Sequence, residues 1–342
     1  MVKKTPWRSF AAQRGPGKPA AGRSARPFVA SFGMAFWNRT LRCVALVQAL
    51  WWAVAACAAS CPPPLLAPAA TAAAKDRGFL WRATRDGRSS WLFGTLHVGN
   101  PGWRKLGPLT VAALRATDVL ALEVDPTDPA LVQAMADMRP PQPLPEPLQQ
   151  RLAKAFERAC MASEALATLH PVLQATTLTV MEARWLGMDS LYAMEQVLLA
   201  QVRPLGRRVV ALESAVAQIQ ALVPADEAEA RMLLDQSLQQ LEDRSARRVL
   251  ERLAQAWERG DLAALEDFES WCECAATEAD RAFQRKLNDD RNAPLADGIE
   301  QQHRQGSRVF AAVGALHMTG PQSLPRLLEQ RGFKVERVAF KR

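Results

Sequence analysis

One pattern, present near both ends of this chain, constrains its fold more than any other feature. Phe93-Gly-Thr-Leu-His97-Val-Gly is followed by a Gly-Pro, a Leu-rich stretch of helical spacing and a short apolar run. Val313-Gly-Ala-Leu-His317-Met-Thr-Gly is followed by a proline, a Leu-rich stretch and a short apolar run. Each copy reads as strand, Gly-x-Leu-His, helix, strand. Short β–α–β crossovers connect parallel strands, so the repeat predicts parallel neighbours in one sheet assembled from both ends of the chain. The fold class expected is α/β (α+β): a central mixed sheet built from N- and C-terminal β-α-β repeats with a large helical insert.

The rest of the pattern fills in that frame. Alternating apolar and polar residues at Phe79–Thr84 and Ser90–Phe93, with Asp86-Gly87 between them, predict a hairpin. A helix is expected from Leu109 to Ala116 and a buried strand over Asp118–Val124. Residues 126–147, with five prolines from Pro140 to Pro147, read as loop; long Leu/Ala/Gln/Glu-rich helices follow, interrupted once by a strand at Arg207–Glu213. Ser307–Val313, a helix over residues 322–330 and a strand from Phe333 to Phe340 close the chain. This divides it into a basic leader with a signal or anchor segment over residues 1–74 and a domain over 75–342, the insert occupying about 128–305.

Charge excludes one class of partner. The formal net charge is +8, yet residues 1–74 hold nine basic side chains and no acidic one, which leaves the body at −1. No nucleic-acid partner is therefore expected. Within the leader, Met34 opens a second plausible start, with Arg39 and Arg42 before an apolar run from Cys43 to Ala59, the pattern of an export signal. The expected location is the periplasm or cell envelope, with cleavage near Ala74; lipid attachment at Cys57 and an uncleaved membrane anchor are the alternatives. Beyond the leader only Cys160, Cys272 and Cys274 remain, an odd count that permits one disulfide, between Cys160 and one of the other two. Cys272-Glu-Cys274 lacks the two intervening residues of common zinc and redox pairs and reads as structural.

At the carboxyl ends of the predicted strands stand His97, Glu123, Glu213 and His317. Ligands and reactive groups gather at that edge of an open α/β sheet. Two imidazoles and two carboxylates suit Zn²⁺, Mn²⁺, Fe²⁺ or Co²⁺, and a carboxylate not bound to the ion could serve as general base in hydrolysis. Taken singly, each residue has a plainer role, as a hydrogen-bonded structural histidine or a strand-end carboxylate paired with a helix N-terminus. Two of only four histidines in one Gly-x-Leu-His frame favour function. His170, before Pro171, and His303, at a helix end, read as structural. Asn292 is a fair helix N-cap with Pro294 in the first turn; alternatively Arg291 reaches the strand-end cluster as an anion or oxyanion binder, with Asn292 as a second donor. No phosphate-binding loop, Gly-x-Ser-x-Gly elbow or dinucleotide fingerprint is present.

The ordered blocks Trp91-Leu-Phe-Gly94-Thr-Leu-His97-Val-Gly, Leu120-Ala-Leu-Glu123-Val-Asp125, Gly187-Met-Asp189 with Val210-Ala-Leu-Glu213-Ser and Gln218, Arg291-Asn292, and Val313-Gly314-Ala-Leu-His317-Met-Thr-Gly-Pro321 resemble the TraB/GumN-type proteins, which are related to the Tiki membrane-associated metalloproteases. The resemblance covers nearly all of residues 78–341. It implies a metal-dependent hydrolase or peptidase in which His97, His317 and Glu123 hold a divalent metal (Mn, Co, Fe or Zn) and Glu123, Glu213, Arg291 and Asn292 take part in catalysis. A peptide or protein substrate follows from the same resemblance, and membrane association through the N-terminal segment is the expectation set by the leader. It also leaves two alternatives: a non-catalytic haem-, metal- or peptide-binding protein of the same fold, and an accessory protein of envelope or exopolysaccharide assembly. Tyr192-Ala-Met-Glu-Gln and Arg203-Pro204 depart from the family's usual middle block.

Overall fold

Apolar residues alternate along the first hairpin, and β1 (Phe79–Arg85) pairs antiparallel with β2 (Arg88–Thr95) around Asp86 and Gly87, both at positive φ as a tight hairpin turn requires. The remaining strands are β3 (Val119–Leu122), β4 (Arg208–Ala211), β5 (Val309–Gly314) and β6 (Lys334–Arg337). These observations come from a computed structural model that describes residues 61–65, 74–138 and 143–340. They fall in a unit that spans residues 59–342. The apolar run at Cys43–Ala59 and the Cys57 site lie outside the described residues. Among those described, no helix is long and apolar enough to cross a membrane.

The six strands form one mixed sheet in the order β4-β3-β5-β2-β1-β6. Strands β4, β3, β5 and β2 are parallel, while β1 runs antiparallel to both β2 and β6. Both ends of the chain build the sheet, as the repeat predicts, but the strands within each copy are not neighbours. β5 separates β2 from β3, and β6 lies at the far edge beyond β1. The burial pattern explains this. β3 and every residue of β5 up to Val313 are buried, as in strands covered on both faces, so β5 takes the centre; β4 and β6, half exposed, take the edges.

Phe79, Leu92, Phe93, Leu120, Leu122, Phe310, Val313, Trp257 and Leu328 belong to the core around the sheet. A second apolar cluster lies within the helical insert, where Leu152 and Phe156, Leu173 and Leu178, Ile219, Leu234 and Leu238 meet. Part of the predicted 126–147 loop is helical: Pro129–Ala136, with Pro129 at its first position and Asp128 accepting from the Ala130 N–H. That cap and the helix-compatible φ of proline outweigh the loop-like composition. The cysteines also pair differently from expectation. Cys160 bonds Cys61, with Cα atoms 5.7 Å apart, and Cys272 bonds Cys274, with Cα atoms 5.0 Å apart; both separations lie in the normal disulfide range.

Candidate functional site

Four adjacent parallel strands end at one edge of the sheet, and each delivers a polar side chain there. Glu123 directly follows β3 and Glu213 lies two residues past β4; the Glu213 N–H donates to the Glu123 carbonyl at 3.0 Å. His317 sits in a 3₁₀ turn, Ala315–Met318, after β5, and His97 lies two residues past β2. The order across the edge is therefore Glu213, Glu123, His317, His97. All four predicted residues come together.

Gly314 marks the centre of this cluster. A methyl group built on its Cα would lie 3.2 Å from Glu123 Oε1, 3.5 Å from His317 Cδ2 and 3.9 Å from His97 Nε2. The Gly314 N–H donates to Glu123 Oε1 at 2.7 Å. A side chain at position 314 would crowd the space these three groups share.

The helix Asp289–Arg304 contributes the next pair. Arg291 Nη2 donates to Glu123 Oε2 at 2.5 Å and also contacts Glu213 Oε1; its Nε donates to Glu213 Oε2 at 3.2 Å, and its Nη1 donates to the Leu287 carbonyl at 2.8 Å. One guanidinium thus clamps both glutamates, with 7% or less of either carboxylate side chain exposed. Asn292 is not the helix cap. The helix begins at Asp289, so Asn292 lies within its first turns, fully buried, and its Oδ1 faces His317 Nδ1 at 2.7 Å. The histidine uses the oxygen that a cap would have offered to the backbone. Asn292 Nδ2 is buried with no hydrogen-bond partner.

Glu195 is the site residue that the sequence did not disclose. It follows Met194 at the start of the helix Met194–Val202, accepts a hydrogen bond from Thr95 Oγ1 at 2.5 Å and lies 3.3 Å from His97 Nδ1. Two backbone contacts bring it there. Gly99 and Asp189 exchange backbone hydrogen bonds at 3.0 and 2.9 Å, and the Met194 N–H donates to the Leu96 carbonyl at 3.0 Å. Gly99 has to be glycine for this, since a Cβ there would lie 2.0 Å from the Tyr192 carbonyl oxygen. The legible signal was a carboxylate in a helix whose Met194, Val197, Leu198, Leu199 and Val202 are all buried. Glu195 Oε2 is buried without a partner.

Environment sets the charges. The Glu195 carboxylate raises the His97 imidazole from 6.5 to about 9, chiefly through its charge and against the effect of burial. The His97 side chain remains 64% exposed, so solvent screens this pair. His317 goes the other way: burial lowers it to about 4 and keeps it neutral. Burial also works to raise Glu123, but the His317, His97 and Arg291 side chains and the Gly314 N–H outweigh it and hold that carboxyl at about 2. Because Asn292 Oδ1 and a Glu195 carboxylate can only accept, each histidine carries a proton on Nδ1, and His97, cationic at neutral pH, carries a second on Nε2. Their Nε2 atoms face the space around Gly314, with His317 Nε2 3.9 Å from Glu123 Oε2.

The other histidines hold the fold. His170 Nδ1 caps the helix Pro171–Met181 by accepting from the Val172 N–H, and His303 is buried between Ser90 Oγ, the Arg85 carbonyl and the Phe333 ring. Among the described residues no group of three or more His, Cys, Asp or Glu side chains is arranged to hold a metal ion.

The model of the TraB/PrgY/gumN family matches residues 79–337. Neither the curated proteins nor the solved structures contain a match to the chain. The family match takes in every strand and every site residue described above, and the chain belongs to the TraB/PrgY/gumN family.

Proposed function

From its place in the TraB/PrgY/gumN family, we propose that this chain is a metal-dependent hydrolase of the cell envelope that acts on peptide bonds. The observation that carries this reading is the anchoring of both histidines through Nδ1, His97 by Glu195 and His317 by Asn292, which turns both Nε2 atoms toward the Glu123 carboxylate; His317 Nε2 offers a lone pair as it stands, and His97 Nε2 offers one once a metal displaces its proton. Metal-binding histidines are held in this way by partners on the opposite ring nitrogen. The donor set of His97, His317 and Glu123 fits Zn, Mn, Fe or Co, provided that Arg291 releases Glu123 Oε2 while keeping Glu213. When bound, such an ion supplies Lewis acidity and lowers the pKa of water. The chain's own residues supply the rest: Glu213 holds Arg291, Arg291 presents a guanidinium to an oxyanion, and Glu123 or Glu213 accepts a proton.

The Arg291 clamp also supports a second reading, binding of haem, metal or peptide without turnover, because a guanidinium already occupies both glutamates. One experiment separates the two. Metal content is measured by mass spectrometry on the full chain purified without chelator, for wild type and His97→Ala/His317→Ala, alongside hydrolysis of a peptide library with each ion added. About one equivalent of metal in wild type that the double variant lacks, with cleavage dependent on that metal, is the expected result. Metal retained equally by both would refute the assignment; metal without cleavage would favour binding alone.

A further inference from the structure

The turn at Cys272–Glu273–Cys274 stands apart from the strand-end site, and its features do not suit a structural disulfide. A disulfide stabilises mainly by closing a long loop in the unfolded chain. Cys61–Cys160 closes one across 99 residues, whereas Cys272–Cys274 spans two and gains almost nothing by that route. Closing the small ring also holds Glu273 at φ 54, a left-handed conformation unfavourable for a residue with a Cβ. The bond therefore constrains the backbone without securing the fold.

Three arginines fix the segment around the turn. Arg248 grips the Glu273 carboxylate at 2.8 Å, Arg281 donates to the Ala275 carbonyl at 3.0 Å, and Arg252 lies over the adjoining Trp271 ring at 4.3 Å. The sulfurs are unequal. Cys272 is 1% exposed and its Sγ accepts the Cys274 N–H at 3.1 Å, while Cys274 is only half buried.

We propose that Cys272–Glu273–Cys274 is a thiol–disulfide exchange site that oxidises an incoming dithiol. One thiolate of the dithiol attacks Cys274 Sγ; the Cys272–Cys274 bond breaks, and Cys272 leaves as a thiolate stabilised by the Cys274 N–H. The second thiolate of the dithiol then attacks its own sulfur in the mixed disulfide and releases Cys274 as a thiolate. Two electrons pass from substrate to protein, the substrate leaves as a disulfide, and the protein thiolates take up the protons the substrate lost. None of these steps depends on the metal-hydrolase reading.

The test equilibrates the oxidised full chain in dithiothreitol and glutathione buffers of graded ratio, then alkylates free thiols and locates them by peptide mass spectrometry. The expected result is that Cys272–Cys274 opens at a ratio about ten-fold or more oxidising than the ratio that opens Cys61–Cys160, with the circular dichroism of the fold unchanged. Opening of both at one ratio, or of Cys272–Cys274 last, would overturn the proposal. Two variants check the order of attack: Cys272→Ser is expected to form a mixed disulfide with oxidised glutathione at Cys274, and Cys274→Ser to leave Cys272 unmodified. Equal labelling of the two, or the reverse, would also overturn it.

Discussion

Replacing Arg291 with methionine keeps the length of the side chain and removes its charge, which leaves Glu123 and Glu213 facing each other with no cation between them. Both carboxylates are almost fully buried, so the penalty falls in the range for stripping one partner from a buried ion pair, about 3–5 kcal/mol. The Glu123 carboxyl accounts for part of it. His317, His97, Arg291 and the Gly314 N–H together hold Glu123 at about 2 against a usual 4.5, a displacement worth about 3 kcal/mol of stability at neutral pH, of which Arg291 supplies a share. For a unit of this size the unfolding midpoint should fall by roughly 6–12 °C. The pH dependence should also flatten. In wild type Glu123 is depressed when folded, so its contribution is present above about 4.5 and is lost as pH falls toward 2. In Arg291→Met part of that depression is gone, so the variant is most impaired above about 4.5 and its difference from wild type shrinks as pH falls toward 2. Thermal unfolding of both proteins from pH 2.5 to 8 reads out both effects, and Mn²⁺ or Zn²⁺ at neutral pH should restore the variant more than it stabilises wild type. A variant within about 2 °C of wild type at pH 7, or equally impaired at pH 3 and pH 8, would refute the electrostatic account of the clamp.

Glu195→Gln should lower the His97 pKa from about 9 toward 6.5, followed by NMR titration of the imidazole; a value still above 8 would mean that Glu195 does not set it. Gly314→Ala forces a methyl group against Glu123 Oε1, and metal content and hydrolysis should fall, the latter by about 100-fold, while the sheet stays folded by circular dichroism. Burial and the neighbouring Arg88 and Arg85 charges depress His303, so its contribution is intact above about 6.5 and is lost as pH falls; His303→Phe should flatten urea-derived stability between pH 6.5 and 5 relative to wild type. Cys61→Ser/Cys160→Ser should lose about 4–5 kcal/mol in urea unfolding if loop closure governs, and a much smaller loss would mean that the unfolded chain is already compact there.

The legible part of this protein is what strand chemistry writes locally. A buried parallel strand is a short apolar run, and the residues that follow it stand at the carboxyl edge, so the sequence alone places His97, Glu123, Glu213 and His317 together. Arg291 and Asn292 were half legible. Their polar character was evident, but Asn292 looked like a cap because Pro294 resembled a helix start; only the contact with His317 diverts its oxygen. Strand order was hidden for a related reason: the crossovers fix parallel direction, while adjacency depends on which strand can be covered on both faces, and β5 takes that place. Glu195 lay furthest from view. Its neighbour His97 is nearly a hundred residues away, and the two meet only because Gly99 lets the backbone at Asp189 and Tyr192 approach closely enough to pair. The repeated Gly-x-Leu-His motif thus supplies two equivalent imidazoles, and the unrepeated middle of the chain makes them unequal. Glu195 charges the exposed one, and Asn292 together with burial keeps the other neutral. A site with one cationic and one neutral histidine beside a carboxylate can bind and donate at the same time, which two identical copies of the motif could not arrange by themselves.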